Sequence, residues 1–135
     1  MRHEGHVLVD SSAWIHALRP GDDARFRGLV DSLLASGSVA TCEIVVAELL
    51  RGARSDEEFA RLREALGDVA HLDLAGVGYA AGELALRLRG AGITIPTTDL
   101  LIAATASHHG VSLLHRDKHL ALAAEALAIP VWEPA

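Results

Sequence analysis

Four carboxylates stand where chemistry explains them better than solubility does. Asp10 closes the apolar run Val7-Leu8-Val9 and is followed by Ser11 and Ser12. Glu48 is set among Ile44, Val45, Val46, Ala47, Leu49 and Leu50; Asp99 opens the apolar stretch 100–106; Asp117 follows the run 111–114 through His115-Arg116. Short aliphatic and β-branched runs of this kind read as buried parallel strands. In open α/β sheets, ligands sit beyond the carboxyl ends of the strands. Four acids meeting there would repel one another and be driven to protonate unless a cation neutralised them. Oxygen donors with no thiolate set suit Mg²⁺, with Mn²⁺ able to substitute, better than zinc. Such an ion lowers the pKa of a bound water and polarises a phosphoryl oxygen, so phosphodiester hydrolysis is the matching chemistry.

Each acid has a plainer reading. Asp10 could cap a helix, although Ser11 or Ser12 would serve equally. Glu48 could pair with Arg51 one turn on. Asp99 could be an ordinary first-turn acid favoured by the helix dipole, and Asp117 an ordinary loop acid beside Lys118. Their joint placement favours a shared site, because four independent coincidences would otherwise be needed.

The acids require elements to hold them. Trp14, Ile15 and Leu18 mark a helix over 12–18, stopped by Pro20-Gly21. Asp22 or Asp23 caps a second helix with the apolar face Phe26, Leu29, Val30, Leu33 and Leu34, ended by Gly37. A brief strand over 38–41 follows, and Thr41 is placed to cap a helix over 42–53. Ser55-Asp56-Glu57-Glu58 has the form of a capping box, opening a helix to about residue 66. After a short strand over 69–72, a helix over 78–89 presents Tyr79, Leu84, Leu86 and Leu88. The 93–96 stretch is extended before Pro96, and Thr97 or Thr98 then caps an apolar helix over 99–108. A strand over 111–114, a helix over 118–126 and an edge strand over 129–132, where Pro130 is tolerated, complete the series. Strands alternating with helices predict an α/β fold: one domain over 1–135, built as a three-layer α/β/α sandwich on a mainly parallel sheet of four or five strands.

Composition narrows the partners. The chain has 135 residues, half of them hydrophobic, and a formal net charge of −6, which argues against nucleic-acid binding by a basic surface alone. It leaves room for a nuclease whose metal supplies the positive charge. Cys42 is the only cysteine, the first six residues do not read as a signal peptide, and no apolar run approaches the roughly 20 residues of a membrane span. A cytoplasmic protein with no membrane association is the expectation. Eight histidines include His108-His109 and His115-x-x-x-His119, but no HExxH pattern, and they read as solvated rather than as ligands.

Four segments together resemble the PIN-domain family, and within it the VapC-type toxins of bacterial toxin–antitoxin pairs: Val7-Leu8-Val9-Asp10-Ser11-Ser12-Ala13-Trp14-Ile15, Val46-Ala47-Glu48-Leu49-Leu50-Arg51-Gly52, Thr98-Asp99-Leu100-Leu101-Ile102-Ala103-Ala104-Thr105-Ala106, and Leu114-His115-Arg116-Asp117-Lys118-His119-Leu120. The resemblance spans nearly the whole chain. It implies a metal-dependent endoribonuclease with Asp10, Glu48, Asp99 and Asp117 as its catalytic and metal-binding quartet. Ser11 and Ser12 would help hold the metal shell, with Thr98 as a further supporting hydroxyl. It also implies a homodimer and a further assembly with a VapB-type antitoxin whose C-terminal segment often places an arginine among the acids. Leu120 departs from the aromatic residue often found there. Arg51, Arg54 and Arg116 could contact RNA phosphates or the antitoxin, or pair with Glu48 and Asp117. Trp14 reads as core or dimer contact. The alternative is a catalytically weak or inactive PIN-like scaffold that binds metal or RNA. An adhesion-type Asp-x-Ser-x-Ser metal site is disfavoured because Trp14 stands at its last serine. An aspartyl phosphatase would need an acid where Ser12 is, and the lone lysine, Lys118, is misplaced for a receiver.

Overall fold

A computed structural model describes residues 5–19 and 24–132. The expected stop at Pro20-Gly21 and the cap at Asp22 or Asp23 lie outside the described residues. The elements run β1 (Val7–Val9), α1 (Ser11–Leu18), α2 (Ala24–Ala35), β2 (Val39–Thr41), α3 (Glu43–Arg51), α4 (Asp56–Gly67), β3 (Ala70–His71), α5 (Val77–Gly90), α6 (Thr97–His109), β4 (Ser112–Leu114) and α7 (Lys118–Leu127).

The four strands lie in the order β3-β2-β1-β4, and every pairing is parallel. Leu8 faces Ala40 on one side and Leu113 on the other. All residues of β1 and β2 are buried. Because successive strand residues point to opposite faces, this burial requires helices on both sides of the sheet, which is the α/β/α sandwich. One set of packed helices comprises α1 with α2 and α3, and α3 with α4; the other comprises α5, α6 and α7; α3 also touches α6. One continuous core joins the layers, with Trp14, Leu8, Ile102, Leu113 and Leu120 fully buried in it. Helix α6 is enclosed on most sides, from Leu100 through Ala106.

The chain leaves β1 toward β2 on one side and later returns to place β4 on the other. The sheet therefore reverses its order between β1 and β4, and a crevice forms beyond the strand ends at such a reversal. Asp10 and Asp117 lie at the two lips of that crevice.

Several expected details differ. Thr41 does not cap α3: its carbonyl accepts from Leu72 N–H in the sheet, which moves the cap to Cys42. Neither Thr97 nor Thr98 caps α6, because both are already helical and Pro96 occupies the cap position with φ −59° and ψ 147°. Leu18, Tyr79 and Leu86 face outward rather than into the core. The buried stripe of α5 is instead Val77, Ala81, Leu84 and Leu88. The expected edge strand over 129–132 is reduced to one bridge between Leu113 and Val131, flanked by hydrogen bonds from Leu113 N–H to Pro130 O and from Trp132 N–H to Leu113 O. Ser55 does cap α4, accepting from Glu58 N–H at 3.0 Å, while the Glu58 carboxylate reaches back to Arg54 N–H at 3.1 Å. Among the described residues no helix is long and apolar enough to cross a membrane.

Candidate active site

At the end of β1 the backbone of Asp10 is extended, and its N–H donates to Leu114 O at 2.9 Å, tying the end of β1 to the end of β4. Its carboxylate caps α1. Oδ2 accepts from Ser12 N–H at 3.1 Å and from Ser12 Oγ–H at 2.6 Å, whereas Oδ1 is buried with no hydrogen-bond partner. The same Ser12 hydroxyl accepts from Arg116 N–H at 2.9 Å, so one oxygen bridges the loops that follow β1 and β4. Ser11 Oγ donates to Glu48 Oε1 at 3.2 Å and thereby fixes a glutamate carried on the second turn of α3.

Asp117 caps α7, its Oδ1 accepting from His119 N–H at 2.7 Å and Leu120 N–H at 3.1 Å. Its own N–H donates to His115 Nδ1 at 3.2 Å. Asp99 is the third helical residue of α6 and is nearly buried. His119 Nδ1 lies 3.7 Å from both Asp99 Oδ2 and Asp117 Oδ1. One donor atom from each of Asp99, Asp117 and His119 falls within 4.8 Å of the others, a grouping able to hold a cation.

These carboxylates feel one another. Burial, then the charges of Asp117, Asp10 and Glu48, raise the Asp99 pKa from 3.8 to about 6, against a small opposing pull from His119. Burial and the Asp10 charge likewise raise Glu48, and Asp117 adds to this, while the Ser11 hydrogen bond and the Arg51 charge hold it down. Three of the acids gain partial relief from backbone dipoles: Asp10 and Asp117 cap helices and Asp99 sits in a first turn, where the positive helix end favours an anion. Glu48, in mid-helix, lacks that help and relies on Ser11. A divalent cation would relieve what remains, and Asp10 Oδ1 is a buried acceptor still without a donor.

The other sequence candidates scatter. Thr98 is exposed on the first turn of α6. Arg51 is exposed and acts on Glu48 through its charge alone. Arg54 is committed to Glu58, with Nη2 3.6 Å from Oε2. The Arg116 guanidinium lies 5.4 Å from the centre of the Phe26 ring on α2, which joins that helix to the loop before Asp117. Trp14 is wholly buried, so it is core. Burial pushes the His115 pKa down and the Cys42 thiol up. The sequence reads His119, in the spacing His115-x-x-x-His119, as solvated; its place two residues after a strand-end acid, at the start of a helix, is the signal that it faces the acids.

A family model described as the PIN domain matches residues 7–126. The chain is 32% identical over 117 residues to ribonuclease VapC11 of Mycobacterium tuberculosis, an alignment spanning 82% of this chain and 86% of that relative. The solved structure of FitAcB from Neisseria gonorrhoeae is similar with a TM-score of 0.72 at 25% identity, over 94% of this chain and 96% of that one. VapBC-5 of Mycobacterium tuberculosis, a member of the VapBC family of toxin–antitoxin systems, has the same fold, with a TM-score of 0.66 at 20% identity over 96% of this chain and 99% of that one.

Proposed function

The chain belongs to the PIN-domain family, and we propose that it is a Mg²⁺- or Mn²⁺-dependent endoribonuclease, the toxin of a toxin–antitoxin pair, cutting RNA phosphodiester bonds at Asp10, Glu48, Asp99 and Asp117. The observation that carries this reading is a buried, unpartnered Asp10 oxygen beside two acids, Asp99 and Glu48, that burial and the charges of the other carboxylates hold above the usual carboxylate range. Such a set is unstable alone and stable around a hard divalent cation. Asp10, Asp99, Glu48 and Asp117 would hold that ion. When bound, it supplies a Lewis acid for a phosphoryl oxygen and a water of lowered pKa. The protein's own contribution is preorganisation. Ser12 locks Asp10, Ser11 orients Glu48, and the first turn of α7 pins Asp117, so the carboxylates need little reordering when substrate arrives.

Likeness to a protein named a ribonuclease supports RNA as substrate, and likeness to a VapBC system supports an antitoxin partner. An antitoxin arginine directed at the same acids would compete with metal. We also take the chain to act as one PIN-like domain over 1–135, as a homodimer and in the cytoplasm; the single continuous core of the described residues supports the first of these.

The test is cleavage of total RNA by purified protein with Mg²⁺ or Mn²⁺, with and without EDTA, beside Asp10→Asn and Asp99→Asn. Discrete, metal-dependent cleavage lost in both variants is expected. Equal cleavage by wild type and variants would overturn the mechanism. Metal binding that both variants lose, without cleavage of any RNA offered, would point instead to an inactive PIN-like metal- or RNA-binding scaffold.

A further inference from the structure

We propose that His119 contributes an imidazole nitrogen to the cation held by Asp99 and Asp117, making this a mixed nitrogen and oxygen site. The inference rests on the metal-dependent reading above and extends it to a residue outside the acidic quartet.

The geometry sets His119 apart from the other histidines. Its Nδ1 is 3.7 Å from Asp99 Oδ2 and 3.7 Å from Asp117 Oδ1, beyond hydrogen-bond range of either and equally far from both. An imidazole that served only as a hydrogen-bond donor would settle on one carboxylate. A nitrogen standing off two carboxylates by the same distance is placed as the third corner of a coordination polygon, and donor atoms of the three residues lie within 4.8 Å of one another.

The backbone keeps it there. His119 is the second residue of α7, and its N–H is held by Asp117 Oδ1 at 2.7 Å, so the acid and the imidazole are braced by the same helix cap. Asp117 Oδ1, the oxygen that faces His119 Nδ1, also accepts from Leu120 N–H at 3.1 Å, so the helix cap fixes its position. The His119 side chain is 35% exposed, enough for an ion arriving from solvent to meet it, whereas Asp99 beneath it is 12% exposed. Imidazole favours borderline metals over Mg²⁺, so the site should prefer Mn²⁺ more strongly than four carboxylates alone would.

The experiment is electron spin-echo modulation spectroscopy of the full-length protein loaded with Mn²⁺, comparing wild type, His119→Gln and His115→Gln. Nitrogen modulation characteristic of a coordinated imidazole is expected in wild type and in His115→Gln, and should vanish in His119→Gln while the ion stays bound. Bound Mn²⁺ without nitrogen modulation in wild type, or modulation that survives in His119→Gln, would overturn the inference and leave the carboxylate site standing. Failure of wild type to bind Mn²⁺ at all would overturn the metal reading and this inference together.

Discussion

Replacing Asp99 by asparagine should make the metal-free protein more stable at neutral pH. Burial and the neighbouring acids raise Asp99 from 3.8 to about 6. A carboxyl whose pKa is raised on folding adds stability that is fully present below its unfolded pKa and is lost as pH climbs through the folded value. The gap between 3.8 and about 6 corresponds to about 3 kcal/mol at about 1.4 kcal/mol per pH unit. The side chain is 12% exposed, so solvent screens little of this. Urea unfolding in EDTA should therefore show wild type losing stability between about pH 4 and pH 7, and Asp99→Asn losing much less. The two proteins should nearly coincide near pH 4, with the variant ahead by about 1–3 kcal/mol at pH 7.5, the lower end allowing for the unpaired polar atoms that asparagine brings. Millimolar Mn²⁺ should reverse the order by stabilising wild type alone, since a ligand that binds only the native state adds about 2.7 kcal/mol at a hundredfold excess over its Kd. A stability difference that is constant from pH 4 to 7.5, or a variant that is weaker at pH 7.5 than at pH 4 relative to wild type, would refute the claim that the acids strain one another.

Ser11→Ala removes the hydrogen bond that holds Glu48 down, so the Glu48 carboxyl should titrate at higher pH, as side-chain NMR would show; an unmoved titration would mean that Ser11 does not orient Glu48. Ser12→Ala should cost about 1–3 kcal/mol in urea unfolding, because Asp10 Oδ2 and Arg116 N–H lose their shared partner. Leu113→Ala, at a fully buried position beside Leu8 in the sheet, should cost about 2–5 kcal/mol and lower Tm accordingly. The Cys42 thiol, fully buried and raised by burial, should ignore a disulfide reagent in native protein and react only as fast as the protein unfolds.

The strand ends were the most legible part of the chain. A short apolar run followed by an acid, as at Val9-Asp10 and Leu114 to Asp117, carries both burial and polarity in a few residues, and it marked β1, β4 and the crevice between them. The outward face of α5 was less so. Large residues drew the eye to Tyr79 and Leu86, but the helix packs through Val77, Ala81, Leu84 and Leu88, where a small alanine permits close approach. Caps were harder still, because hydroxyls at Thr41, Thr97 and Thr98 promise a cap that the sheet hydrogen bond of Thr41 and the fixed φ of Pro96 pre-empt. His119 was only half legible, for a different reason. Its meeting with Asp99 depends on how α6 and α7 pack, a long-range fact that local sequence does not carry.

The polar groups of the crevice come from four distant stretches of chain: residues 10–12 after β1, Glu48 on α3, Asp99 on α6, and 115–119 after β4. Strand β4, which completes the sheet beside β1, is also the last of the described strands to be made. During synthesis the first three acids would emerge with no fourth to join them and with β1 missing one neighbour. A chain that stops short of β4 thus carries three of the acids without the site, and the site is complete only once the segment after β4 has been made. For a protein proposed to destroy RNA, that order of assembly would keep the acids apart until the segment carrying Asp117 emerges.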